Sequence, residues 1–185
     1  VTRISHGSGP IALGEINRLD RRPRFDRSFS PNPVPQKNAE LKQKQQKARE
    51  LFEVSPFNWY VGPKSPKLTI VCSGAGWLYT LDALEILDLE DSVGIIKLGT
   101  TWPLPIEFIS KHIQSNSSVL VIEEVDPFIE VHLKEGLYNK GSSHGTPIVF
   151  GKNTGHVDNV GELNPDKVVS AIARILGINY RSRDP

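Results

Sequence analysis

The chain has 185 residues, with 22 Lys and Arg against 21 Asp and Glu, a formal net charge of +1. That length holds one medium domain plus an extension rather than two large cores, and the near-neutral balance leaves no electrostatic footprint for nucleic acid. The longest apolar runs are five or six residues, far short of a membrane span.

The single cysteine, Cys72, lies in an apolar run and has no internal disulfide partner. This suits a reducing compartment and excludes a cysteine-built metal or iron–sulfur site within these residues. No basic-then-apolar leader with a small-residue cleavage site is visible, so the expected location is the cytoplasm. Methionine is absent and the chain starts at Val1, so it reads as a piece of a longer protein or a processed one.

Residues 1–35 read as an extended arm from the end of a preceding domain. Pro10, Pro23, Pro31, Pro33 and Pro35 interrupt it, and Arg18, Arg21, Arg22, Arg24 and Arg27 make it basic. Proline lacks a donor and restrains its predecessor, so neither a long helix nor a central strand is expected there. Residues 36–66 read as a linker helix and an aromatic hinge. QKNAELKQKQQKARELFEV is built of helix formers with few apolar residues before Leu51 and Phe52. Such a helix is mostly solvated and takes its stability from docking its C-terminal end. In SPFNWYVGPKSP, Phe57, Trp59 and Tyr60 are the expected anchors.

Residues 67–185 carry the core. LTIVCSG, SVGIIKLG, SSVLVIEEV and TPIVFGK are expected strands. Between them lie WLYTLDALEILDL, with Trp77, Leu78, Leu81, Leu84 and Leu87 or Asp88 near helical spacing, and the turn and helix of TTWPLPIEFISKHIQ. DPFIEVHLKEGLY follows, with Asp126 as expected N-cap and Pro127 in the first turn. The last helix is NPDKVVSAIARILG, capped by Asn164, started by Pro165 and stopped by Gly177. Nearly continuous apolar strands alternating with helices mean buried parallel strands. The expected fold is α/β, a doubly wound, mostly parallel sheet of four or five strands.

Two groups of residues are candidates for function. The turn Ser73-Gly74-Ala75-Gly76 follows the first strand, where backbone N–H groups at a helix start can hold an anion. A dinucleotide fingerprint would need a third glycine where Tyr79 stands and an acid where Lys97-Leu98-Gly99 stands. The bland alternative is that the glycines only permit a tight turn. Glu123, Glu124 and Asp126 cluster at the carboxyl end of the third strand, the edge at which open α/β sheets bind ligands. In a strand, Glu123 and Glu124 would point to opposite faces, so at most one would face a given site. Here the bland alternative has one carboxylate orienting a neighbouring loop, with the others solvated or facing another domain. The five histidines, His6, His112, His132, His144 and His156, do not pair at metal-ligand spacing. No catalytic residue and no metal site is assigned, and Ser5-His6-Gly7 has no recognisable third partner.

KLGTTWPLP followed by a helix, and then SVLVIEEVDPFIE, resemble the second domain of the large subunit of the indolepyruvate ferredoxin oxidoreductases, in the 2-oxoacid:ferredoxin oxidoreductase family. GKNTGHVDNVGELNPDKVVSAIARILG resembles the end of that domain. VTRISHGSG resembles the segment closing the preceding one, and SPFN a segment after the long connection. The resemblance implies a transketolase C-terminal-like domain. It also implies a parent enzyme that uses thiamine diphosphate, Mg2+ and [4Fe-4S] clusters to turn an aryl 2-oxoacid into the acyl-CoA. Its implied partners are the neighbouring thiamine-binding domains, a second subunit, ferredoxin and CoA. It carries no catalytic residue onto this sequence and implies no cofactor within it, so the fragment alone is expected to be inactive and to support assembly. The alternatives are a related thiamine enzyme acting on pyruvate or 2-oxoglutarate or of transketolase type, a stand-alone nucleotide- or small-molecule-binding domain using the Ser73–Gly76 turn, or pure scaffold. No nucleic-acid or membrane partner is expected.

Overall fold

A computed structural model describes residues 34–113, 117–141 and 147–181. Residues 1–33 of the expected arm, His6 and His144 lie outside these residues; Val34 and Pro35, the arm's last two, open a helix, and residues 59–61 of the expected hinge form an edge strand of the sheet. Glu40–Pro185 forms one compact unit, and the sheet belongs to it. The elements are α1 (Val34–Glu53), β1 (Trp59–Val61), β2 (Leu68–Ser73), α2 (Ala75–Leu87), β3 (Val93–Leu98), α3 (Ile106–Lys111), β4 (Ser118–Ile122), α4 (Phe128–Lys140), β5 (Ile148–Phe150) and α5 (Pro165–Leu176).

The five strands form one sheet in the order β1-β3-β2-β4-β5. β3, β2, β4 and β5 are parallel, while β1 pairs antiparallel with β3 through Trp59↔Lys97 and Val61↔Ile95. This is a doubly wound α/β fold. The chain leaves β2 to β3 on one side and then crosses to β4 on the other, so the winding reverses beside β2. β2 is buried along its length, as a strand covered on both faces must be.

Side chains alternate across the strands and divide the core in two. Leu68, Ile70, Cys72, Ile95, Leu120 and Ile122 pack with α2 and α5. Val71, Ile96, Leu98, Val119, Val121 and Val149 pack with α3 and α4. α2 lies against the sheet through Gly76, Thr80, Ala83 and Leu84, with Trp77 and Leu87 packed on the same cluster, so of the five residues that spacing suggested, Leu78 and Leu81 are the two that do not face inward. Leu78 and Leu81 are exposed. Small residues on the inner face allow close approach: a Cβ on Gly76 would lie 3.0 Å from Ile122 Cγ2.

The aromatic segment before β2 is held by a residue that aromatic content did not point to. Phe57 is exposed, whereas Asn58 is buried. The Asn58 amide donates to Phe52 O (2.9 Å) and Thr100 Oγ1 (2.7 Å), and its Oδ1 accepts from Gly99 N (2.9 Å) and Thr100 N (3.1 Å). It thereby ties the end of α1 to the turn after β3. Tyr60 stacks on His112 and Trp59 meets Trp77 edge-on at 6.0 Å.

Candidate functional site

The two groups singled out in the sequence meet. Ser73, Gly74 and Ala75, leaving β2, face Thr101, Glu123, Glu124, Asp126, Phe128 and Ile129 across a crevice of about 270 Å³. It lies at the carboxyl ends of β2 and β4, where the winding reverses, the position at which open α/β sheets take ligands. Gly76 does not line it; that glycine is buried under Ile122. β4 ends at Ile122 and Val125 turns with φ 61°. Strand alternation therefore stops before the acids, and Glu123 and Glu124 line the same crevice, contrary to the expectation that they part to opposite faces.

Glu123 is only 5% exposed. Its Oε2 accepts from Ile129 N (2.6 Å) and its Oε1 from Glu130 N (2.9 Å). It closes the start of α4, the role expected of Asp126; the residue at the cap position is Pro127, which offers no side-chain acceptor. Burial pushes the Glu123 carboxyl up, against the pull of the two backbone donors; nearby Glu130 adds to the rise and Lys152 opposes it. Glu124 and Asp126 are exposed and form no ion pair among the described residues.

Two buried charged residues that the sequence reading passed over lie behind this edge. Glu130 is fully buried; it accepts from Lys134 Nζ and from Asn153 N (3.0 Å). A Cβ on Gly151 would lie 2.6 Å from Glu130 Oε2, so glycine there is what admits the carboxylate. Lys152 is buried and donates to Asp158 O at 2.7 Å. Their signal in the sequence is weak: a glutamate three residues into a helix and a lysine between a glycine and an asparagine. Glu130 ties the loop after β5 to α4, and Lys152 closes that loop on itself.

The charge of the crevice decides what suits it. The starts of α2 and α4 each contribute about half a positive charge, against three carboxylates. Among the described residues no lysine or arginine lines it. A diphosphate therefore does not fit here; a cationic or hydrogen-bond-donating group does. Among the described residues no group of three His, Cys, Asp or Glu could hold a metal ion. Cys72 is buried, and burial pushes its thiol up to about 12. A larger groove of about 560 Å³ runs between α1, α3 and α4. Three of its charged residues are engaged internally: Lys140 pairs with Glu107 at 2.6 Å, and Glu53 accepts from Glu107 N and Phe108 N. No helix among the described residues is long and apolar enough to cross a membrane.

Fold and site together define a doubly wound α/β domain with an acidic crevice at its switch point. The family model for the indolepyruvate oxidoreductase domain matches residues 58–184, and the chain belongs to that family. Indolepyruvate oxidoreductase subunit IorA of Pyrococcus abyssi is 33% identical over 190 residues, covering 96% of this chain and 28% of that relative. The subunit of the same name from Archaeoglobus fulgidus is 33% identical, covering 99% and 28%. The chain thus spans a little over a quarter of the length of these relatives. Among solved structures, a 2-oxoglutarate:ferredoxin oxidoreductase from Magnetococcus marinus matches with a TM-score of 0.49 at 17% identity, over 79% of this chain and 24% of that one. A split-gene transketolase matches with a TM-score of 0.44 at 20% identity, over 65% and 42%.

Proposed function

We propose that this chain is an assembly domain of the large subunit of an indolepyruvate:ferredoxin oxidoreductase. In this reading the parent oxidatively decarboxylates an aryl 2-oxoacid to the acyl-CoA and delivers the electrons to ferredoxin. The observation that carries the reading is the extent of the likeness: the family match runs through residues 58–184, and the IorA relatives align over 96% or more of the chain. When bound by the parent, thiamine diphosphate supplies the carbanion chemistry. Thiamine diphosphate, Mg2+ and the [4Fe-4S] clusters belong to other parts of that parent, since the acidic crevice opposes a diphosphate and the one cysteine is buried.

The same proposal keeps the extended arm of 1–35 from the preceding domain and the linker of 36–66 ahead of the α/β domain of 67–185, with the arm's last two residues in α1 and the linker's β1 joined to the sheet. Its partners are the neighbouring thiamine-binding domains, a second subunit, ferredoxin and CoA, and its compartment is the cytoplasm. The test is native mass spectrometry of the protein from its source, with thiamine and iron assays on the same sample. A large complex carrying both is expected. A lone chain of 20.6 kDa with neither overturns the reading.

The position of the 270 Å³ crevice at the switch point favours one second reading, stand-alone binding of a small molecule. Saturating ligand at a hundredfold excess over its dissociation constant stabilises a domain by about 2.7 kcal/mol. A thermal melt of the chain with millimolar nucleosides or small amines reads this directly, and an unmoved melting temperature rules those ligands out.

A further inference from the structure

One stretch of the carboxyl edge spends conformational strain on keeping an apolar side chain in solvent. Val125 sits at φ 61°, a left-handed conformation that β-branched residues avoid. Its side chain is nevertheless 78% exposed. Glycine or asparagine would make this turn at less strain, so the fold of the isolated domain does not explain the valine. Three residues on, Phe128 is 43% exposed, and beside it Trp102 is 51% exposed. Their rings meet at 5.6 Å, and both pack on His132 with centroids 4.6 Å away. Glu124 and Asp126 flank the valine, both exposed and without an ion pair among the described residues.

We propose that this edge, Val125 with Trp102 and Phe128 beside the carboxylates of Glu124 and Asp126, docks a neighbouring domain of the longer oxidoreductase polypeptide that presents an arginine or lysine next to an apolar residue. The proposal rests on the family reading for the existence of that polypeptide, of whose relatives this chain spans 28%. Charge complementarity selects the occupant. A guanidinium pairs with carboxylates and also lies well on an indole face. A second copy of this chain docking edge to edge would set Glu124 and Asp126 against the same two acids, a like-charge contact that works against binding.

The background for a thiol test is quiet, because the chain's only cysteine is buried in β2. Val125→Cys and, as a reference, Val160→Cys at a site 85% exposed are made in this chain and in the full-length polypeptide. Both are treated with a maleimide, and labelling at each position is followed by peptide mass spectrometry. The ratio of the labelling rate at position 125 to that at position 160 is expected to fall at least tenfold in the full-length protein. Reversing Glu124 and Asp126 to arginine is expected to restore the ratio without moving the melting temperature of the isolated chain. An unchanged ratio overturns the docking face. Protection that appears in the isolated chain with rising concentration overturns the choice of occupant in favour of a second copy. If the full-length protein oxidises a 2-oxoacid yet labels freely at position 125, the docking face fails and the family activity stands. Protection without that activity supports the docking face and removes the activity.

Discussion

The two faces of the sheet secure their helices by different means. On one face, α5 is written into its own segment. Asn164 Oδ1 accepts from Lys167 N at 2.9 Å, Pro165 opens the first turn, and Gly177 closes the helix at φ 69°. α2, on the same face, has no side-chain N-cap but closes locally, at Asp88 in a left-handed cap. On the other face, α3 and α4 have no local side-chain cap. Glu53, from the end of α1, accepts from Glu107 N at 3.2 Å and Phe108 N at 2.7 Å; Glu123, from beyond β4, accepts from Ile129 N and Glu130 N. The first face is encoded locally. The second holds only once the chain has folded, because its caps arrive from other elements. The candidate crevice opens along that second face, at the start of α4.

The largest expected effect lies at the cap that joins folding to the site. Glu123→Ala leaves two buried N–H groups without an acceptor, at about 1–3 kcal/mol each. We expect a loss of about 3 kcal/mol in urea unfolding, and a loss under about 1 kcal/mol would show that α4 caps itself. Glu123→Gln keeps an oxygen acceptor and should cost less. It also isolates the charge. The folded carboxyl is raised above the ordinary carboxylate range, chiefly by burial. Its contribution to stability is therefore fully present below the ordinary value and is lost as pH rises through the raised one. The stability of the natural chain relative to Glu123→Gln should fall with rising pH across that window. A difference that rises instead would mean that the two backbone donors outweigh burial.

Glu53→Ala and Asn164→Ala put the two capping styles side by side. Each removes a side-chain acceptor from a helix start, worth typically about 1 kcal/mol. Asn164→Ala should weaken only α5. Glu53→Ala also loosens α1, because the same carboxylate connects two elements. Hydrogen exchange on both variants checks this: faster exchange confined to 165–176 for the first, and at both α1 and α3 for the second. Exchange limited to α3 in the second variant would remove the distinction between the faces.

The same contrast explains what the sequence disclosed. Four parallel strands, α5 and its caps were legible because apolar runs and the Asn-Pro…Gly signature depend on nearest neighbours in the chain. The meeting of Ser73–Ala75 with Glu123, Glu124 and Asp126 followed from the strand order, and the two groups were found separately for that reason. The capping of α4 by Glu123 was assigned to Asp126, because a capping rule counts residues along a helix and cannot see a carboxylate arriving from a strand end. Asn58 was hidden among Phe57, Trp59 and Tyr60 for a similar reason: three of its four hydrogen bonds reach a turn about forty residues away. Buried polar residues whose partners lie far along the chain carry little local signal, and they are what closes this side of the sheet.

The smallest expected effect has the opposite sign and bears on why the second face ends in an exposed valine. The left-handed conformation at Val125 costs a β-branched residue roughly 1–2 kcal/mol. Glycine would relieve that, offset by about 0.5–1 kcal/mol of greater freedom in the unfolded chain. Val125→Gly should therefore stabilise the isolated chain by about 0.5 kcal/mol, since a side chain 78% exposed gives up little packing. Chemical unfolding of the two chains in parallel is the measurement. A loss of about 1 kcal/mol or more would show that Val125 is held by contacts within the domain, and the carboxyl edge would then be a closed surface like the rest of the sheet. A small gain would leave the valine as a residue that the folded domain tolerates at a cost, which places the reason for it outside the domain.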